Sequence, residues 1–263
     1  NSLHSIAVQV TKMLSLPENT FLQESACQQQ QQQHHEGSCS SSSCCGDSKT
    51  NDNKCNVDLL RIFLYDPVHP ALGSSPHTDW GSWTVVWQDD IGGLQTYCPL
   101  HETYVDVKRA PASAQDDGLV YFVVHVGDVT SLALGHAAIK QTRSTSTSNS
   151  KVVTFPSPKH RVVCPQLEPR VSLVYFAYPP PSISLAEMET RLEDYSVQLP
   201  SNIGESKNKD TVVVSYDSYY LLQNQTPGGE QAEDPEEVYR RIRTKPLGEC
   251  FRAKWEQVQR IKQ

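Results

Sequence analysis

From about position 57 to 180 the apolar residues of this chain come in short, β-branched or aromatic runs, each cut off by a turn signal. Leu59–Tyr65 ends at Asp66-Pro67, Thr84–Trp87 and Leu94–Tyr97 flank Gly92-Gly93, and Leu119–Val126 stops at Gly127-Asp128. Val152–Phe155, Arg161–Val163 and Val171–Ala177 complete the set. Runs this short, joined by loops and with helical patterns before and after them, favour a sandwich or barrel over a parallel sheet built from βαβ units. The continuous run at 119–126 reads as an interior strand.

Outside that region the pattern changes. Leu3, Ile6, Val10, Met13 and Leu14 recur at helical spacing over residues 3–16, and a second short helix is expected after Asn19 or Thr20. Residues 27–54 hold six consecutive glutamines, His34-His35 and a Ser/Cys-rich tract, a composition with too little to bury to offset ordering entropy. After Asp66-Pro67 a turn-rich span runs to Pro76. Val129–Gly135 reads as a short helix or turn leading to another strand, and 140–151 as a polar surface insertion. Beyond Pro179-Pro180-Pro181 helices are expected at 184–194 and 249–261, the second with Phe251, Trp255, Val258 and Ile261 along one side. A helical region is expected to open over 215–222, and 228–237 reads as an acidic linker. The organisation expected is an N-terminal helical segment over 1–26, a low-complexity insertion over 27–54, a β core over 55–180 and a C-terminal helical extension over 181–263. Because the chain begins with Asn1, the N-terminal segment is read as truncated.

Composition narrows the function. Twenty-three Lys and Arg against 30 Asp and Glu give a formal charge of -7, which argues against a nucleic-acid or anionic-membrane binder. Four of the eight cysteines fall in one polar tract and the rest lack a framework spacing, so a reducing, cytoplasmic setting is expected. The expected partner is a small molecule.

His77-Thr78-Asp79 puts an imidazole and a carboxylate two residues apart at the mouth of an apolar run, which is half a metal site. His160, flanked by short strands, is the best third candidate. Two histidines and a carboxylate leave positions open on a non-haem iron, whereas zinc ordinarily prefers a tetrahedral site with one open position.

These pieces resemble the iron(II)- and 2-oxoglutarate-dependent oxygenases, specifically the isopenicillin N synthase-like branch. The matching blocks are Leu60–Pro67, His77-Thr78-Asp79-Trp80-Gly81, Asp89–Gln95, Val123–Asp128, His160-Arg161-Val162 and Arg170-Val171-Ser172, in family order. The resemblance implies a mainly β fold with flanking helices around a double-stranded β-helix (jelly-roll, cupin-like) core. It implies that His77, Asp79 and His160 bind Fe(II), that Arg170 and Ser172 hold the distal carboxylate of 2-oxoglutarate, and that Tyr65 reaches the same end. With dioxygen as the other cosubstrate, the activity implied is oxidation of a small organic substrate, hydroxylation being the expected outcome, with release of succinate and carbon dioxide. Phe63 stands where the family often has asparagine, which removes one polar contact near the cosubstrate.

Other readings stay open. An oxidase of the same fold performing desaturation or ring closure without 2-oxoglutarate, and a non-catalytic binding or regulatory barrel, both fit the pattern. Trp80 and Trp83 read as packing residues, His101 and His136 as facing solvent or the core, and His34-His35 with Cys44-Cys45 as carrying no metal module. Gly81, Gly92 and Gly93 serve turns. His125 either faces the pocket or satisfies a buried hydrogen bond.

Overall fold

The computed structural model describes residues 3–14, 20, 22, 58–67, 73–108, 120–144, 155–164, 167–192, 216–223 and 233–261. Among the described residues eight strands form two four-stranded antiparallel sheets: β1 (Leu59–Tyr65), β2 (Ser74–His77), β3 (Trp83–Gln88), β4 (Leu94–Cys98), β5 (Thr103–Asp106), β6 (Val123–Val126), β7 (His160–Val162) and β8 (Arg170–Ala177). One sheet has the order β1-β8-β3-β6 and the other β2-β7-β4-β5. The ladders nest: β4 pairs β5, β3 pairs β6, β2 pairs β7 and β1 pairs β8, so the chain runs out and back as one long ribbon. The β3·β8 and β4·β7 ladders join successive turns of that ribbon.

Residues directly opposite in an antiparallel ladder share a face. One row on the inner face of the first sheet is therefore Phe63, Ser172 and Gln88, and another is Leu59, Phe176, Thr84 and His125. Opposite parity puts Val85 and Tyr175 on the outer face, where both join a core that includes Ala7 of helix α1 (Leu3–Met13).

Helix α2 (Asp128–Ser144) follows β6 directly. It extends well past Gly135 and overlaps the expected polar insertion over 140–144, so helix stands where a short helix or turn was expected to give way to another strand. Val129, Leu132, Ala133, Leu134, Ala137 and Ala138 are buried, but so are Asp128, Thr130 and Ser131, so no polar face marks the helix. Strand β2 lies in the span read as turns. It is an edge strand with a register irregularity, positions where Pro76 and small polar residues are tolerated.

Helices α3 (Leu185–Leu192), α4 (Pro235–Ile242) and α5 (Leu247–Ile261) follow the sheets, with a 3-10 turn at Tyr216–Ser218. Helix α4 begins inside the expected acidic linker: Asp234 caps it by accepting from the Glu236 N–H, Pro235 opens it, and acidic and basic residues occupy its first and last turns. The expected 3–16 helix ends at Met13, with residues 15–19 outside the described set. The low-complexity tract 27–54, the remainder of the 145–154 connection and the 201–211 loop also lie outside the described residues. Among the described residues no helix is long and apolar enough to cross a membrane.

Candidate metal centre

His77 is the last residue of β2 and His160 the first of β7, and the ladder sets them directly opposite, with ring centroids 4.4 Å apart. Asp79 follows β2 by two residues, and its Oδ1 lies 3.6 Å from His77 Nε2 and 3.8 Å from His160 Nε2. One ligand atom from each of the three lies within 4.8 Å of the others. The backbone fixes the loop: the Asp128 N–H donates to Asp79 O at 2.7 Å, and the Ser82 N–H to Ala177 O at 2.8 Å.

The imidazoles are oriented by their other nitrogens. His77 Nδ1 is 2.6 Å from Ser75 O and His160 Nδ1 is 3.0 Å from Pro158 O, so each ring donates Nδ1–H to a carbonyl and keeps a lone pair on Nε2. Burial pushes both imidazoles below the ordinary histidine range, against the pull of Asp79, which favours their neutral, ligating form. Burial alone would raise Asp79, but His160, His125, His77 and the Thr84 hydroxyl together hold its carboxylate below the usual range. Thr84 donates to Asp79 Oδ2 at 2.6 Å, leaving Oδ1 to face the two histidines. Two neutral imidazoles and an ionised carboxylate form a donor set that fits a divalent first-row metal.

At the far end of the sheet face that carries Thr84, Arg170 is buried, 1% exposed, on β8. Its guanidinium donates to Gly92 O, to Ser172 Oγ at 3.0 Å and to Gln88 Oε1 at 3.1 Å. Its carbon centre sits 4.8 Å over the Tyr65 ring, and burial raises the Tyr65 hydroxyl against the pull of Arg170. Phe63 stacks beside Tyr65, with centroids 6.1 Å apart. Tyr65, Arg170 and Ser172 thus meet at one end, and His77, Asp79 and His160 at the other. Gly92 has φ 75° and Gly93 φ 89°, conformations that suit glycine, and a side chain on Gly93 would collide with Val163 O.

Thr84 and Gln88, which hold Asp79 and Arg170, were missed in the sequence. Their common parity with Arg170 and Ser172 across the β3·β8 ladder becomes visible only once the register is known. His125 faces this site, with Nε2 3.5 Å from Asp79 Oδ2. Trp83 is buried in the core, as expected. Trp80 stacks on Tyr220, which also lies edge-on to His77, and meets Trp255 of α5. His101 is exposed, while His136 is half-buried and stacks on Tyr239.

Residues 56–179 match the family model for the 2OG-Fe(II) oxygenase superfamily. The chain is 32% identical over 172 residues to 1-aminocyclopropane-1-carboxylate oxidase homolog 11 of Arabidopsis thaliana, covering 64% of this chain and 38% of the relative. It is 36% identical over 63 residues to 1-aminocyclopropane-1-carboxylate oxidase of Dictyostelium mucoroides, covering 24% and 15% respectively. Similar solved structures include the dioxygenase for auxin oxidation in rice, at 22% identity and TM-score 0.34 over 71% of this chain and 46% of that one. The chain thus spans less than half the length of these relatives.

Proposed function

We propose that this protein is an Fe(II)- and 2-oxoglutarate-dependent dioxygenase that hydroxylates a small organic molecule, with release of succinate and carbon dioxide. The observation that carries the proposal is the pairing of His77, Asp79 and His160 with a buried arginine on the sheet face that also carries Thr84, the donor to Asp79. His77 Nε2, Asp79 Oδ1 and His160 Nε2 are the ligands for the iron, which when bound supplies the redox chemistry of dioxygen activation. Arg170 and Ser172 hold the distal carboxylate of 2-oxoglutarate, and Tyr65 supports the guanidinium through its ring. A planar fork suits that task better than an ammonium. Among the described residues no carboxylate forms an ion pair with Arg170, so an oxoacid supplies a counter-charge to a buried cation.

The nested ladders support reading the two sheets as the faces of a double-stranded β-helix, in the isopenicillin N synthase-like branch. In this organisation residues 55–180 form the oxygenase core, 181–263 a helical extension, 1–26 an N-terminal helical segment and 27–54 an insertion, in a cytoplasmic protein.

The test is anaerobic titration with Fe(II) and then 2-oxoglutarate, followed in the visible charge-transfer region, with succinate release scored across a metabolite library. A ternary complex that His160→Ala abolishes is expected. Full-rate substrate oxidation without 2-oxoglutarate would turn the reading into a same-fold oxidase, and a folded protein that takes up neither ligand would leave a binding module.

A further inference from the structure

One partly buried imidazole has no task in that proposal. His125 lies on β6 directly opposite Thr84, and its ring centroid is 4.8 Å from that of His160. Its Nε2 is shielded from solvent and makes no hydrogen bond among the described residues. The nearest charged atom is Asp79 Oδ2, 3.5 Å away, on the carboxylate oxygen that already accepts from Thr84.

The two neutral tautomers are not equivalent here. With the proton on Nδ1, the ring would donate to Val126 O at 3.3 Å, a carbonyl that already accepts from Ser157 Oγ at 3.4 Å. The bare Nε2 lone pair would then face a buried carboxylate oxygen, two acceptors without a proton between them. With the proton on Nε2, the charged acceptor gains a second donor, and a charge-assisted bond is worth more than one to a shared neutral carbonyl. His125 does not belong to the group of ligand atoms within 4.8 Å of one another, which argues against a fourth ligand.

We infer that His125 is a positioning residue for Asp79: its Nε2–H donates to Oδ2 and, with Thr84, confines the carboxylate to binding metal through Oδ1 alone. Holding Oδ2 away from the metal keeps open the coordination positions that the proposed reaction requires. The inference deepens the metal-centre reading and rests on it.

The test uses the full chain and compares wild type, His125→Leu and His125→Gln for anaerobic Fe(II) and Co(II) binding by chelator competition, with thermal unfolding of each apo protein as the control. Loss of the donor is expected to weaken metal binding about 10- to 100-fold, the usual effect of removing a partner behind a ligand. The glutamine variant, which restores a donor, should recover most of it. Leucine binding within twofold of wild type, or glutamine as weak as leucine, overturns the inference. Two-bond proton–nitrogen correlation spectra of the apo protein give an independent readout. A proton on His125 Nε2 is expected, and a bare Nε2 overturns the inference. Wild-type protein that binds neither metal would defeat the metal-centre reading, with the spectra still deciding the His125–Asp79 contact.

Discussion

Arg170→Met separates an arginine that serves a ligand from one that serves the fold. The substitution keeps most of the buried volume on β8 and removes the charge together with three hydrogen bonds, to Gly92 O, Ser172 Oγ and Gln88 Oε1. Each such bond to a charged donor is worth about 1.5–3 kcal/mol. Against this stands the cost of burying a guanidinium without a carboxylate partner, several kcal/mol per ion. The abandoned acceptors are not all stranded: Gln88 Oε1 also faces the Leu94 N–H at 3.4 Å, and the Ser172 hydroxyl can rotate. The opposing effects offset each other to within roughly 3 kcal/mol, so the apo melting temperature should move by no more than about 10 °C. Binding should behave differently. Removing one partner of a desolvated charge pair costs about 2–5 kcal/mol, or roughly 30- to 5,000-fold in the Kd for 2-oxoglutarate. Calorimetric titration of 2-oxoglutarate into the anaerobic Fe(II) protein, beside apo unfolding scans, measures both. A variant that melts far lower yet binds 2-oxoglutarate within threefold of wild type would show that Arg170 is structural.

Three further outcomes are expected. Asp128 is fully buried and burial pushes its carboxyl up to about 7, above its ordinary 3.8, so the folded state retains a proton that the unfolded chain gives up. Its contribution to stability is therefore complete below about 3.8 and lost as pH rises through about 7; Asp128→Asn should raise the apo melting temperature more at pH 8 than at pH 4.5, and the opposite ordering refutes the sign. Glu189, 1% exposed, accepts from Tyr239 at 2.5 Å and from Arg243 at 2.6 Å, tying α3 to α4 and the residue after it. Glu189→Ala should cost about 3–5 kcal/mol in urea unfolding, and Glu189→Met with Arg243→Met should recover most of it. A Cβ on Gly127 would overlap Gly81 O and approach Asp79 O at 3.1 Å, so Gly127→Ala should weaken Fe(II) binding as well as stability, measured by chelator competition and thermal scans.

The runs at 59–65, 84–87, 94–97 and 171–177 were legible because each is an apolar stretch closed by Pro, Gly or Asp, a local signal. Strand β2 was not, since Ser74-Ser75-Pro76-His77 has no strand propensity and is ordered by its partner β7. Helix α2 was hidden by burial on more than one side, whereas α4 carried every start signal and was obscured by its acidic composition. Of the residues brought together here, His77, Asp79 and His160 stand out in the sequence as a possible ligand set, whereas Arg170, Ser172 and Tyr65 follow only from the family resemblance. Thr84, Gln88 and His125 act across ladders, and no motif links Thr84 to His125 or Gln88 to Ser172 before the register is known.

The nested order of the ladders also ranks how firmly each part of the site is held. Among the described residues strand β1 is an edge with a single neighbour, β8, and it carries Tyr65, whereas Thr84 sits on β3 between two neighbours. Opening of that edge, the least costly local fluctuation of such a sheet, would loosen Tyr65 while Arg170 and Ser172 on β8 keep their ladder with β3. Each end of the site thus places one side chain on a yielding edge, Tyr65 on β1 at one and His77 on β2 at the other, while Arg170, Ser172 and His160 sit on strands paired on both sides.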